Sequence, residues 1–570
     1  MSVFSVRVEI GDPQGERFEP VEALVDTGAS YTTMPASTLR ALGVSPHDRR
    51  QFMLADGRTV EHDVGRTWLR VDSKMEMTLV VFADEGTKPL LGAVTLEEFA
   101  LGIDPVAQKL MPVPGYLMRA TSEEDAQALA RADRAHIIHP QFHIRDHEDA
   151  VIYARGEGAL LYDIHGNEYI DGLASLWNVA VGHGRRELAD AAAEQMRELA
   201  YSNSYTGYSN VPSIRLAERL MELVYPNMSG VFFSNSGSEA VDLAFKIARF
   251  FWFLQGRPEK VKIISRKEAY HGGTFGGTTA TGMAPFHQGF GPLVGGFVQA
   301  ETCYPYRCPT CGGAQECGAH CADQIEQVIL REGPETVAAV IAEPVHGAGG
   351  VIVPGERYWP RLREICDRHD VLLIADEVIT GFGRTGRWFA LKHWGVQPDM
   401  MTVAKAITSA YVPLAATIMS ARVHEAILMS PPDIKLMHGY TNAGHPTACA
   451  VALRNLQIIE EEGLVEQAAS LGERLLSGLR GLRPHPNVGD VRGLGLMAAV
   501  ELVADTKSRA PFDPAQAVGP TLLREMRRRG VITRVRGDTV VLAPPLVITD
   551  NQLDRLIEVI GESIDDAVGV

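Results

Sequence analysis

Short apolar runs at 261–264, 338–342, 371–375 and 400–403 limit the fold more than any other feature of the chain. Each is bounded by Gly, Pro or charged residues, and longer stretches of helical periodicity separate them. A strand buried on both faces reads as a continuous apolar run, and strands alternating with helices build βαβ units around a mostly parallel sheet. This texture begins near 136 and passes after about 480 into a smaller α+β region ending in a capped helix. Residues 1–118 read differently. Apolar residues alternate in Val6-Arg7-Val8-Glu9-Ile10 and around Trp68-Leu69-Arg70-Val71, and Asp56-Gly57 is a hairpin signal. An all-β unit is expected there, closed by Pro112 and Pro114. Residues 119–135 predict a helical linker, with Thr121 and Glu124 spaced as a capping box.

A length of 570 residues suggests two to four domains. The net charge of −17, without a basic block, argues against nucleic acid and anionic membranes as partners. Arg7 and Glu9 interrupt the N-terminal stretch, which therefore lacks the apolar core of a signal peptide. No apolar run reaches the roughly 18 residues of a membrane span. Seven cysteines, most of them crowded between Cys303 and Cys321, fit a reducing cytoplasm.

Three segments carry candidate chemistry. Asn235-Ser236-Gly237-Ser238-Glu239-Ala240 follows an apolar run and opens a helix, where backbone N–H groups and the helix dipole attract a phosphate. A serine there is also an ordinary N-cap. Leu372-Leu373-Ile374-Ala375-Asp376-Glu377-Val378 is an apolar strand ending in an acidic pair, at the kind of strand end where α/β folds place ligands. Asp376 there can pair with a protonated pyridine nitrogen or cap a helix. Met401-Thr402-Val403-Ala404-Lys405 puts an amine directly after a buried strand, where desolvation lowers its pKa and makes it nucleophilic. A snorkelling lysine is the bland alternative.

The order of these blocks, with Ala-Tyr270-His271-Gly, Ala-Glu343-Pro-Val-His-Gly-Ala-Gly-Gly and Thr441-Asn-Ala-Gly-His-Pro, resembles the class III (omega) aminotransferases of PLP fold type I over about 125–570. The resemblance implies a large domain at about 185–440. The N-terminal part of 136–570 and about 441–570 would form the small domain. It implies pyridoxal 5′-phosphate as cofactor and Lys405 as the Schiff-base lysine and proton shuttle. Asp376 would pair with the pyridinium, and Ser236, Gly237 and Ser238 would hold the phosphate. Tyr270 and Val378 would cover the two ring faces, with Glu343 in support. Thr441 would reach the phosphate of a partner subunit, making the active unit a homodimer. Ala410 departs from the family's frequent glycine.

The stretch 173–179 resembles the substrate mouth of amine–pyruvate and β-alanine–pyruvate members, with Trp177 and Tyr205 as an aromatic wall. By position, Arg534 resembles the arginine that grips a substrate carboxylate. Ala348 stands where 4-aminobutyrate and ornithine enzymes carry a glutamate that neutralises this arginine, which favours pyruvate as acceptor. The expected reaction is ping-pong transfer from an amine or omega-amino acid to a keto acid. An aminomutase or decarboxylase is the alternative on the same cofactor.

Cys308-Pro-Thr-Cys311, with Cys317 and Cys321 following, has spacing that can build a zinc site. Related aminotransferases carry a shorter cysteine-bearing loop here, packed near the dimer interface, and that loop reading, without metal, is preferred. At the N-terminus, Ala23-Leu-Val-Asp26-Thr27-Gly28-Ala-Ser and Pro89-Leu-Leu-Gly92 resemble retroviral-type (retropepsin-like) aspartic proteases. The resemblance implies Asp26 as catalytic aspartate, needing a second copy for the pair that shares one proton. An endopeptidase activity and an inactive protease-like domain remain equal alternatives.

Overall fold

The computed structural model describes residues 4–26, 29–53, 59–71, 74–104, 109–112, 123–141, 143, 145, 150–308 and 317–569. Thr27, Gly28, Asp56, Gly57, Pro114, Thr121 and Cys311 therefore lie outside the described residues. The chain forms two compact units, Met1–Arg119 and Ala120–Val570.

In the first unit the alternating pattern does what its period of two requires. Along Phe4–Gly11, Val8 and Ile10 point into the core while Ser5 and Arg7 are exposed. Seven strands join in one sheet, and Phe4–Gly11 pairs with both Phe18–Val25 and Thr59–Val71, so the sheet curls back on itself. Met34, Leu69, Val80 and Leu91 fill the interior. Leu24 and Val25 pair in parallel with Leu90 and Leu91, bringing the two protease-like motifs together. Asp26 N–H donates to the Leu91 carbonyl at 3.2 Å. Gly92 is obligatory here, because a Cβ would stand 2.4 Å from the Tyr31 backbone. Beside the strands, six-residue helices, Ala36–Ala41 and Ala93–Glu98, follow two of them. Each buries only one or two side chains against the sheet, too few to show as helical periodicity.

The second unit opens with the helix Glu123–His136. Its centre is a seven-stranded sheet in the order Met228–Ser234, Ala415–Ser420, Met400–Val403, Leu372–Asp376, Val337–Ala342, Lys262–Arg266, Phe297–Ala300. Every neighbouring pair is parallel except those made by Ala415–Ser420, which is antiparallel to both neighbours. Val337–Ala342 and Leu372–Asp376 are buried at every position, as their unbroken apolar sequence demands. The helix Gly237–Leu254 lays Val241, Ala244, Ile247, Ala248 and Phe251 on one face of the sheet.

Two four-stranded sheets complete the unit. In one, Glu168–Asp171 pairs in parallel with Val531–Ile532; in the other, Val488–Gly493, Ala498–Leu502, Thr539–Leu542 and Arg534–Arg536 are antiparallel neighbours. The last helix, Asp550–Val568, starts with a Thr549–Gln552 capping box. Among the described residues no helix is long and apolar enough to cross a membrane.

Candidate active site

Because most strands of the large sheet run the same way, their carboxyl ends share one edge. Ser236 follows Met228–Ser234, Tyr270 and His271 follow Lys262–Arg266, Glu343 follows Val337–Ala342, Asp376 ends Leu372–Asp376, and Lys405 follows Met400–Val403. All of them line a single cavity of about 350 Å³.

One end of the cavity is the turn Ser236-Gly237-Ser238. Ser236 caps the Gly237–Leu254 helix, its Oγ accepting the Glu239 N–H at 3.3 Å. The N-cap role therefore coexists with an anion-attracting helix end. Ser238 Oγ accepts the Gly273 N–H at 3.0 Å. Gly237 sits against Val378, where a Cβ would come within 3.0 Å of Val378 Cγ1. Val378 itself packs on Ala240, Ala404 and Ala415.

On the floor, the Asp376 carboxylate is held from three sides. His271 Nδ1 lies 2.7 Å from Oδ2, while Thr402 Oγ1 and the Val378 N–H donate to Oδ1 at 3.1 and 3.2 Å. His271 and Thr402 were not singled out from sequence; the only trace of the histidine was its place in the Ala-Tyr-His-Gly block. Glu343 accepts the Tyr270 N–H at 3.1 Å and the Gly347 N–H at 2.9 Å, fixing the segment that presents the Tyr270 ring. Burial pushes the Glu343 carboxyl above the usual range. Desolvation lowers the Lys405 amine, and the charges of Asp376 and Glu343 oppose the shift. Lys405, Ser409 and Ala410 all adopt positive φ, 49°, 49° and 60°. A left-handed Ala410 costs about 1–2 kcal/mol, a strain the family's frequent glycine avoids.

An adjoining chamber of about 490 Å³ shares Leu176, Tyr270, Ile379 and Lys405 with the first, and Trp177, Phe286, Ala348 and Arg534 also line it. Ala174, Ser175 and Trp177 have φ of 46°, 58° and 58°. Three left-handed non-glycine residues in four positions store about 1–3 kcal/mol each, the pattern found at ligand clamps. This twist turns Trp177 inward, where it is buried against Leu173, Val345 and Ile379. Tyr205 is exposed and lies against Gly439 instead. Within one chain, then, Trp177 and Tyr205 do not form a joint wall. The aromatic lining comes from Tyr270 and Phe286, whose rings are 5.2 Å apart. Arg534 reaches this chamber and donates to Gln141 Oε1 at 2.7 Å. Thr441 is exposed, outside the lining of its own chain's cavity. Cys308, Cys317 and Cys321 cluster away from the cleft with Cys303, which the sequence-based ligand set omitted.

Comparison with known proteins agrees with this geometry. Residues 6–95 match the aspartyl protease family model and residues 143–564 match aminotransferase class-III. A diaminobutyrate–2-oxoglutarate transaminase of Halomonas elongata is 41% identical over 75% of this chain and 93% of its own. A putrescine–pyruvate aminotransferase of Pseudomonas aeruginosa is 40% identical over 73% of this chain and 91% of its own. The crystal structure of an (S)-enantioselective omega-transaminase from Thermomicrobium roseum superposes with a TM-score of 0.76 at 46% identity, covering 78% of this chain and 99% of that one. A strand-end lysine and carboxylate facing one cavity, on a sheet shared with these enzymes, place the chain in the class III aminotransferases, a PLP-dependent family.

Proposed function

We propose that this enzyme moves the amino group of a primary amine or omega-amino acid to a keto acid, with pyruvate the preferred acceptor, in two half-reactions. The observation that carries the acceptor is the setting of Arg534. Its partner is the neutral amide of Gln141, no carboxylate pairs with it among the described residues, and Ala348 lines the same chamber. The guanidinium is thus open to a substrate carboxylate, while the apolar walls suit the carbon chain of a donor.

The residues present fit PLP. A phosphate meets the Ser236–Ser238 turn, a flat ring fits between Tyr270 and Val378, and an anion and an amine face the same space. A Cβ on Gly272 would stand 2.5 Å from Ser238 Oγ and close that turn, so glycine keeps it open. When bound, PLP supplies an aldehyde for amine exchange and an electron sink for the substrate carbon. Lys405 anchors it covalently and then carries the proton at its Nζ. Asp376 would supply an anion for the ring nitrogen, with His271 and Thr402 holding that carboxylate in place. Glu343 positions Tyr270.

The active unit is a homodimer in the cytoplasm, in which Thr441 serves the partner subunit. Exposed Tyr205, Tyr208, Val211, Ile214 and Phe275 on the segments before and after the Ser236 turn support an apolar interface. In the N-terminal unit Asp26 supplies one carboxylate, so peptidase activity would require two such units to pair.

The test is spectroscopic. Adding donor alone should remove the absorbance of the lysine-bound cofactor, and pyruvate should restore it with release of alanine. Product without any keto acid would mean an aminomutase or decarboxylase, and a spectrum indifferent to every amine would overturn the reading. Arg534→Ala is expected to raise KM for pyruvate about tenfold or more, the worth of a charged hydrogen bond of ~1.5–3 kcal/mol. KM for an uncharged amine should change far less; steady-state kinetics on both substrates checks this.

A further inference from the structure

Away from the cleft, four thiols converge. Cys303 follows the Phe297–Ala300 strand, Cys308 follows the Pro305–Arg307 turn, and Cys317 and Cys321 lie in the first two turns of the Cys317–Glu332 helix. None is more than 5% exposed. The sulfurs of Cys303, Cys317 and Cys321 all lie within 4.8 Å of one another. Cys321 Sγ is 3.5 Å from Cys317 Sγ and 3.8 Å from Cys308 Sγ. With Zn–S bonds of about 2.3 Å, the sulfurs of a tetrahedral tetrathiolate stand about 3.8 Å apart. The i,i+4 spacing of Cys317 and Cys321 puts both on one helix face. Gly318 lets that first turn press on the neighbouring segment, since a Cβ there would meet the Tyr358 nitrogen at 2.7 Å and the Gly355 carbonyl at 2.8 Å.

A second observation points to an anion at this place. Arg266 is fully buried beside Tyr358, whose backbone nitrogen abuts Gly318 of the cysteine-bearing helix, and it has no carboxylate partner among the described residues. Its guanidinium donates to the Glu343 carbonyl and to Tyr358 Oη, and its Nε finds no partner. A buried guanidinium without a counter-charge costs several kcal/mol, which those two hydrogen bonds and the Tyr358 and Trp359 rings beneath it offset only in part. Four neutral thiols packed as small apolar groups would leave that cost standing. Four thiolates around one divalent cation carry two net negative charges and offset it.

We propose that Cys303, Cys308, Cys317 and Cys321 bind one zinc ion as a tetrathiolate. The ion takes the place of the four thiol protons, and it ties the 303–308 loop to the Cys317–Glu332 helix. Sulfur ligands in a tetrahedron select zinc or iron, and the enclosed setting leaves no open position for catalysis.

The experiment uses the full-length, PLP-loaded protein purified without chelator from zinc-supplemented cells. Elemental analysis should find about one zinc per chain, and a mercurial thiol reagent should release it to a colorimetric indicator. Cys321→Ser should fall below about a tenth of that content, and so should Cys303→Ser. Should Cys321→Ser fail to fold, the wild-type chain decides: cobalt-grown protein should show the visible absorption of tetrahedral thiolate cobalt. Zinc-free wild type that takes up no zinc when reduced and offered micromolar metal would overturn the site. Iron in its place would overturn the identity of the metal. Zinc kept in Cys303→Ser would overturn the ligand set.

Discussion

Lys405→Ala is expected to lower amino transfer at least about 10³-fold and to abolish the borohydride-stable attachment of cofactor to the chain. Two functions are lost together. The amine proposed to anchor the cofactor disappears, and with it the only lysine among the described residues lining the cavity that could carry the substrate-carbon proton. Tryptic mapping after reduction should find the tag on Lys405 in the wild type and no tagged peptide in the variant; a tag elsewhere would refute the assignment. The same amine has a pH signature in the apoprotein. Desolvation holds its pKa below the ordinary 10.5, with Asp376 and Glu343 limiting the shift. Between the folded and the ordinary value the unfolded chain binds more protons than the folded one, so stability rises with pH across that window. A Lys405→Met variant should lack this rise, and thermal melts of the two apoproteins from neutral to alkaline pH would show the difference.

Asp376→Asn is the second large effect, expected to reduce kcat by about 10²–10⁴-fold while cofactor remains bound. The pyridine nitrogen keeps its proton only beside an anion, and Asp376 is the carboxylate on the cavity floor. His271, Thr402 and the Val378 N–H are arranged as partners for a carboxylate, so an amide loses charge and leaves at least one of these contacts mismatched. In the proposed function, phosphate binding at Ser236–Ser238 and the covalent link at Lys405 would not depend on Asp376. Cofactor content by absorbance should therefore stay near wild type as turnover collapses. Activity above about a tenth of wild type would show that the carboxylate is not needed.

The parallel sheet was legible because a strand covered on both faces leaves an unbroken apolar run. The run at 338–342 differs from the observed strand Val337–Ala342 by one residue at one end, and the run at 371–375 from Leu372–Asp376 by one residue at each end. The strand-end positions of Lys405, Asp376 and the serine turn were legible because each sits next to such a run, so local sequence reports both strand and strand end. His271 was not, since its carboxylate partner is 105 residues away and nothing periodic links them. Cys303 escaped for the same reason: it precedes the regular Cys-x-x-Cys spacing and joins the other thiols only when a loop and a helix pack. Within one chain Trp177 and Tyr205 stand apart, and the left-handed backbone that turns Trp177 inward has no signature in residue type. It took the observed φ values to show which way the indole turns.

The pairing of Glu168–Asp171 with Val531–Ile532 sets an order of events during synthesis. The Gly172 N–H bonds to the Ile532 carbonyl, and the Ala543 N–H bonds to the Gly172 carbonyl. The first strands of the catalytic unit must wait, while several hundred further residues leave the ribosome, for the partner that completes their sheet. The N-terminal unit closes its ladder within its own 119 residues and can mature at once. A nascent chain stalled before 531 would thus carry a finished leading domain and an unpaired strand edge, a substrate for chaperones rather than a partly working enzyme.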